Sequence, residues 1–107
     1  MFETLKNTHR MAKMGFNWAG VTGIDPRDNG QIVKRATQYM SNLGHTPEDA
    51  WVLSMLSWIE GIPWPENKRM MAQGMLTFLR SPEVRSCLSE EVIEAGLANA
   101  DTVLSSF

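Results

Sequence analysis

The spacing of apolar positions in this chain is helical from end to end. Between the glycine and proline clusters, apolar residues recur three and four positions apart, which places their side chains on one face of an α-helix. No segment alternates apolar and polar residues over enough positions to make a strand. The pattern therefore predicts an all-α fold, a compact bundle of five to six helices joined by short connections.

A central helix is predicted at about residues 47–60. Eight of the ten residues from 50 to 59 are apolar, and only Ser54 and Ser57 interrupt the run. A helix that is apolar on almost every side must be enclosed by other elements. We therefore expect the remaining helices to pack around it.

Local end signals mark several other helix boundaries. Thr46 and Ser89 are expected to cap the third and last helices, because a hydroxyl can accept a hydrogen bond from a free N–H of the first turn. Pro65 suits the first turn of the fourth helix. Gly44 is well placed to end the second helix in the left-handed conformation.

The sequence predicts one helical domain over residues 1–107. Within it, an amphipathic helix is expected at 2–19, a glycine-rich loop at 20–25 and the helical core at 26–107. The loop is expected because four of the eight glycines, with a proline and two aspartates, cluster around it. The pair Asp25-Pro26 then resembles a helix start.

Composition excludes several classes of protein. Ten Lys and Arg stand against twelve Asp and Glu, a net charge of −2, which does not suit a strongly basic nucleic-acid coat. One cysteine cannot close an intramolecular disulfide. No stretch is apolar over the roughly 18 residues that a membrane span needs. A cytoplasmic location is predicted, and the basic, amphipathic N-terminal segment also has features of an organelle transit segment.

No pattern of catalytic or metal-ligating residues is present. His9 and His45 are the only histidines, and neither has a carboxylate or Cys at ligand spacing. The aspartates after Gly23 do not form a calcium loop, because Arg27 and Ala36 occupy ligand positions. Cys87 is expected to be buried or half-buried on a short helix and not to act as a nucleophile. We predict a protein that is not an enzyme and has no metal and no cofactor.

Charge and tryptophan content point instead to an interaction surface. Residues 1–40 carry six basic and three acidic groups, whereas residues 41–107 carry four basic and nine acidic groups. Four tryptophans are difficult to bury fully in so small a domain. We therefore expect at least one, Trp18 or Trp64, to be partly exposed.

The function predicted from these observations is a small non-catalytic helical protein-interaction or regulatory module, whose partner is another protein or a copy of itself. Trp and Met are typical of such contacts. The alternatives are a weak nucleic-acid binder using Lys and Arg of the N-terminal half, and a helical protein that binds an apolar ligand. The predicted interaction surface combines the first helix and the turn before the fourth: Lys6, Arg10, Lys13, Phe16, Trp18, Trp64, Lys68, Arg69 and Met70.

Overall fold

The computed structural model describes residues 2–23 and 30–106, with side chains described for 5–23, 32–40 and 44–106. This part of the chain forms six α-helices and no strand. The predicted all-α bundle is confirmed. The helices are α1 (Phe2–Thr22), α2 (Gly30–Leu43), α3 (Pro47–Glu60), α4 (Pro65–Arg80), α5 (Pro82–Arg85) and α6 (Glu90–Ser105).

Helix α3 is the centre of the bundle, as its apolar composition predicted. It contacts α1, α2, α4 and α6, and Trp51, Met55 and Ile59 on it are almost completely buried. Helices α4 and α6 also pack against each other. Four of the other helices therefore pack around α3.

The predicted helix ends at Thr46, Gly44, Pro65 and Ser89 are confirmed. The Thr46 hydroxyl accepts a hydrogen bond from the Asp49 N–H at 3.2 Å, and the Ser89 hydroxyl accepts one from the Val92 N–H at 3.3 Å. Gly44 has φ +67° and Pro65 is the first residue of α4. The Asp49 carboxylate also accepts the Ser89 N–H at 3.0 Å, so the starts of α3 and α6 are joined.

Helix α1 is longer than predicted. It continues to Thr22 and ends at Gly23, where φ is +77°, so residues 20–22 of the expected loop are helical. Tertiary packing offsets the helix-breaking tendency of Gly20, because Trp18 is buried in the core and Thr22 lies beside Gly74 of α4. The helix start predicted at Asp25-Pro26 lies outside the described residues.

Trp18 is completely buried, so it adds no area to an interaction surface and the expectation of exposure fails at this residue. Its ring contacts those of Trp51 and Phe78 edge to face, with centroids 6.0 and 5.5 Å away. It is Trp64 that is exposed, over 64% of its surface. The structure places Trp18 inside because α1 packs against α3 and α4 with the face that holds Met11, Met14 and Trp18.

Cys87 is exposed, and the prediction that it is buried or half-buried is wrong. Helix α5 ends at Arg85, two residues before it. Cys87 therefore lies in the turn before α6, where no helix face carries it into the core.

Candidate functional site

A pocket of about 580 Å³ lies where α2, the end of α3 and the start of α4 meet. Most of its wall is apolar, and three polar side chains, Arg35, Ser57 and Asn67, reach it. We call it the Trp64 pocket. Its apolar wall consists of Ile32, Trp58, Ile62, Pro63, Trp64 and Met71.

Helical spacing explains why these residues face one another. Ile32 and Arg35 are three apart on α2, and Asn67 and Met71 are four apart on α4, so each pair shares a helix face. The last turn of α3 contributes Trp58. After α3 ends, Pro63 in the Ile62–Trp64 turn prevents the helix from continuing. This leaves Trp64 outside the regular packing, at the start of α4.

Two serines of α3 attach α2 and so fix one wall of the pocket. The Ser54 hydroxyl donates to the carbonyl of Ile32 at 2.7 Å in a buried position. One turn further, the Ser57 hydroxyl accepts a hydrogen bond from the Arg35 guanidinium. Ile32 and Arg35 are three residues apart on α2, and so are the two serines on α3. Both hydrogen bonds can therefore form at the same time in only one register of α2 on α3.

Among the described residues that line the Trp64 pocket, Arg35 is the one that carries a charge. Its side chain forms no ion pair within the described part of the chain, and its hydrogen bond goes to the neutral hydroxyl of Ser57. Within the described residues, no carboxylate therefore neutralises the positive charge of Arg35. An arginine in this setting is suited to receiving an anion.

A second, polar depression of about 430 Å³ adjoins the pocket. Its lining consists of Arg35, Gln38, Tyr39 and Ser57. Since Arg35 and Ser57 also line the Trp64 pocket, their hydrogen bond lies at the boundary between an apolar space and a polar one. The site therefore has an apolar side and a polar side, with a cation between them.

The predicted site residues of α4 lie around the start of that helix. Trp64 and Met70 are exposed over 64% and 58% of their surface, and Arg69 is exposed. The Lys68 ammonium group donates to the carbonyl of Glu60 at 3.1 Å, which places a cation at the negative end of the α3 dipole. Lys68 therefore also stabilises the C-terminal end of α3.

The predicted residues of α1 differ in their contacts. Lys6, Lys13 and Phe16 are exposed, but the Arg10 guanidinium is paired with the Glu48 carboxylate through two hydrogen bonds. Glu48 lies in the first turn of α3, whereas Trp64 follows the last turn of that helix. At 1.5 Å of rise per residue, about 20 Å of helix separates the two ends. Arg10 and Trp64 therefore lie near opposite ends of α3.

Sequence reasoning missed the roles of Arg35, Ser57 and Asn67. A signal was present, because the two serines that interrupt the apolar run of α3 are three apart, like Ile32 and Arg35 on α2. Which helix lies next to those serines is not encoded in local spacing. It is the position of α2 that brings Arg35 and Ser57 together at the edge of the apolar space.

Within residues 2–23 and 30–106, no three His, Cys, Asp or Glu side chains gather in a way that could hold a metal ion. Within the same residues, no helix has both the length and the apolar character needed to cross a bilayer.

No protein-family model matches this chain, and comparison with curated proteins and with solved structures finds no match.

Proposed function

We propose that this chain is a non-catalytic interaction module that binds a segment of another protein at the Trp64 pocket. The observation that carries the proposal is the 64% exposure of Trp64 at the wall of a 580 Å³ pocket. Trp18 and Trp51 of the same chain are buried, so the fold has room for tryptophan in its core. The exposed indole of Trp64 therefore provides apolar surface for contact with a partner.

The composition of this surface supports a protein partner. Tryptophan is enriched at the centres of interfaces, and methionine adapts its shape to different partners. Met70 is exposed and Met71 lines the pocket. Arg35 adds a positive charge at the edge of the apolar wall. A partner segment that presents an apolar side chain and an acidic group is complementary to this arrangement.

A small apolar ligand is the second candidate, and the pocket volume favours it. About 580 Å³ falls within the ~300–1,000 Å³ that ligand sites usually enclose. Arg35, Ser57 and Asn67 would orient such a molecule. The nucleic-acid alternative has less support, because Arg10, one of the cations of the N-terminal half, is paired with Glu48.

Site-specific photo-crosslinking tests the protein-interaction proposal. A benzophenone amino acid is placed at position 64 in one version of the chain and at position 16 in another, since Phe16 is exposed to a similar degree. Crosslinking in cells that express the chain should join position 64 to one contiguous segment of another protein. Position 16 should not give that product.

A pocket-filling variant completes the test. Asn67 is exposed and lines the pocket, so Asn67→Trp should fill the space without entering the core. We expect this change to remove the product at position 64. The proposal is wrong if both positions give the same products, if Asn67→Trp changes nothing, or if position 64 joins only to a second copy of the chain.

A further inference from the structure

We propose that Arg35 is the residue that determines specificity at the Trp64 pocket, by receiving a carboxylate of the bound segment. This inference rests on the proposed function and adds the chemistry of the partner. The segment then carries a large apolar side chain, which enters the pocket, and a carboxylate next to it, which reaches Arg35. The partner is a peptide segment and not a free small molecule.

The position of Arg35 is the first argument. It lines both the apolar pocket and the polar depression that contains Gln38 and Tyr39. A ligand that fills the apolar space and extends into the polar depression therefore passes Arg35. A carboxylate at that point keeps contact with water while its apolar neighbour is buried, so only a small desolvation cost opposes the ion pair.

The hydrogen-bonding state of Arg35 is the second argument. A guanidinium carries five N–H donors, and one amino group donates to the Ser57 hydroxyl. That contact orients the planar group while leaving donors for a bidentate carboxylate. Because Ser57 accepts from Arg35, its own proton is available to donate to the same anion.

The other cations near the site are less suited to this role. Lys68 donates to the Glu60 carbonyl at the end of α3, and Arg69 is not part of the pocket wall described above. The Arg10 guanidinium holds Glu48 at the opposite end of α3. Arg35 is thus the cation that faces both depressions.

Selection from a random peptide library tests the inference without knowledge of the partner. A phage-displayed library of random dodecapeptides is panned against the full chain, against Arg35→Glu and against Arg85→Glu. Arg85 is exposed at the end of α5, so it controls for a change of net charge. We expect the wild type and Arg85→Glu to select peptides that combine an aromatic or aliphatic residue with Asp or Glu. Arg35→Glu should select Lys or Arg in place of the acid.

Synthetic peptides then measure the pairing. One selected peptide is compared with its acid-to-amide version on the wild type and on Arg35→Gln. Removal of the acid should weaken binding to the wild type about fivefold, the effect of roughly 1 kcal/mol for a charge pair in contact with water. The same change should have little effect on Arg35→Gln, because the pairing is already lost. Circular dichroism confirms that the exposed substitutions leave the helices intact.

The outcomes separate this inference from the proposed function. If peptides bind and Trp64→Ala abolishes binding, but Arg35→Glu still selects acidic peptides, the assignment of Arg35 is wrong and the docking function stands. If no selected peptide depends on Trp64, the docking function fails as well. Decanoate is tested as a free apolar acid. If it binds in an Arg35-dependent way while the library yields no peptide, the occupant is a small molecule and the peptide proposal is overturned.

Discussion

The Ser54 hydroxyl of α3 donates a 2.7 Å hydrogen bond to the main-chain carbonyl of Ile32 in α2, and Ser54 is completely buried. This bond joins two helices across the otherwise apolar surface of α3. Together with the contact between Ser57 and Arg35, it sets the register of α2 and hence the position of Ile32 and Arg35 at the Trp64 pocket. A polar pair inside the bundle therefore shapes the candidate site.

Ser54→Ala is expected to lower the free energy of unfolding by about 1 kcal/mol, the net value of a typical buried hydrogen bond. The loss arises because the buried hydrogen bond between Ser54 and the Ile32 carbonyl is removed. Urea denaturation followed by circular dichroism measures it. Ser57→Ala is the matched control, since its bond to Arg35 is exposed, and we expect a loss below about 0.5 kcal/mol. Equal losses in the two variants would contradict this view of the α2–α3 contact.

Arg10→Ala is expected to destabilise the fold by about 1–2 kcal/mol. The Glu48 side chain is 11% exposed and the Arg10 side chain 46% exposed, so truncation of Arg10 leaves a poorly solvated carboxylate without its partner. The loss should stay below the ~3–5 kcal/mol of a fully buried pair, because water reaches Arg10.

A double-mutant cycle with Glu48→Gln isolates the interaction between Arg10 and Glu48 from other effects of each change. Lys13→Ala provides the control for removal of a cation from α1, since Lys13 is exposed. If Lys13→Ala costs as much as Arg10→Ala, the ion pair is not the source of the loss.

Trp64→Ala should leave the stability within about 0.5 kcal/mol of the wild type. Trp51→Ala should cost about 3–5 kcal/mol, because it empties a buried aromatic position. The difference follows from the exposed fractions of the two side chains, 64% for Trp64 and 1% for Trp51. Acrylamide quenching of tryptophan fluorescence gives an independent check, since Trp64 should contribute most of the accessible emission. Unchanged quenching in Trp64→Phe would show that Trp64 is not exposed in solution.

Two helical glycines should respond in opposite ways to a larger side chain. At Gly20 an added Cβ meets no heavy atom within 4 Å, so Gly20→Ala should stabilise the chain by about 0.5–1 kcal/mol through helix propensity. At Gly96 an added Cβ would lie 2.6 Å from Leu79 Cδ1, and Leu79 is completely buried. Gly96→Val should therefore cost at least about 1–3 kcal/mol. Thermal denaturation of both variants tests this contrast, and stabilisation by Gly96→Val would show that α4 and α6 are not closely packed.

Much of the fold could be predicted because its signals are local. Thr46 and Ser89 each lie one residue before a helix and use their own hydroxyl to cap it, so a few neighbouring residues are sufficient information. The apolar run of α3 likewise required enclosure whatever the neighbours were. The predicted end of α1 at residue 19 was wrong. There, the contact between Thr22 and Gly74 of α4 outweighs the low helix propensity of the glycines in this segment.

The candidate site was only partly predictable. Trp64 lies in a turn bounded by prolines, and that setting indicates exposure from sequence alone. Trp18 lies in a helix with both apolar and basic positions, and its sequence neighbours do not show which face turns inward. Burial of Trp18 depends on where α3 and α4 lie, and the spacing of α1 residues carries no information about their position.

The sequence by itself determined the all-α class, the ends set by caps and prolines, and the central position of α3. These follow from backbone hydrogen bonding and from the free energy of burying an apolar helix, both of which act over a few residues. Only the tertiary structure decided that Arg35 meets Ser57, that Arg10 meets Glu48 at the start of α3, and that Trp18 is enclosed. Such pairings join residues from separate helices, and close packing selects one arrangement among the many that the same helices allow.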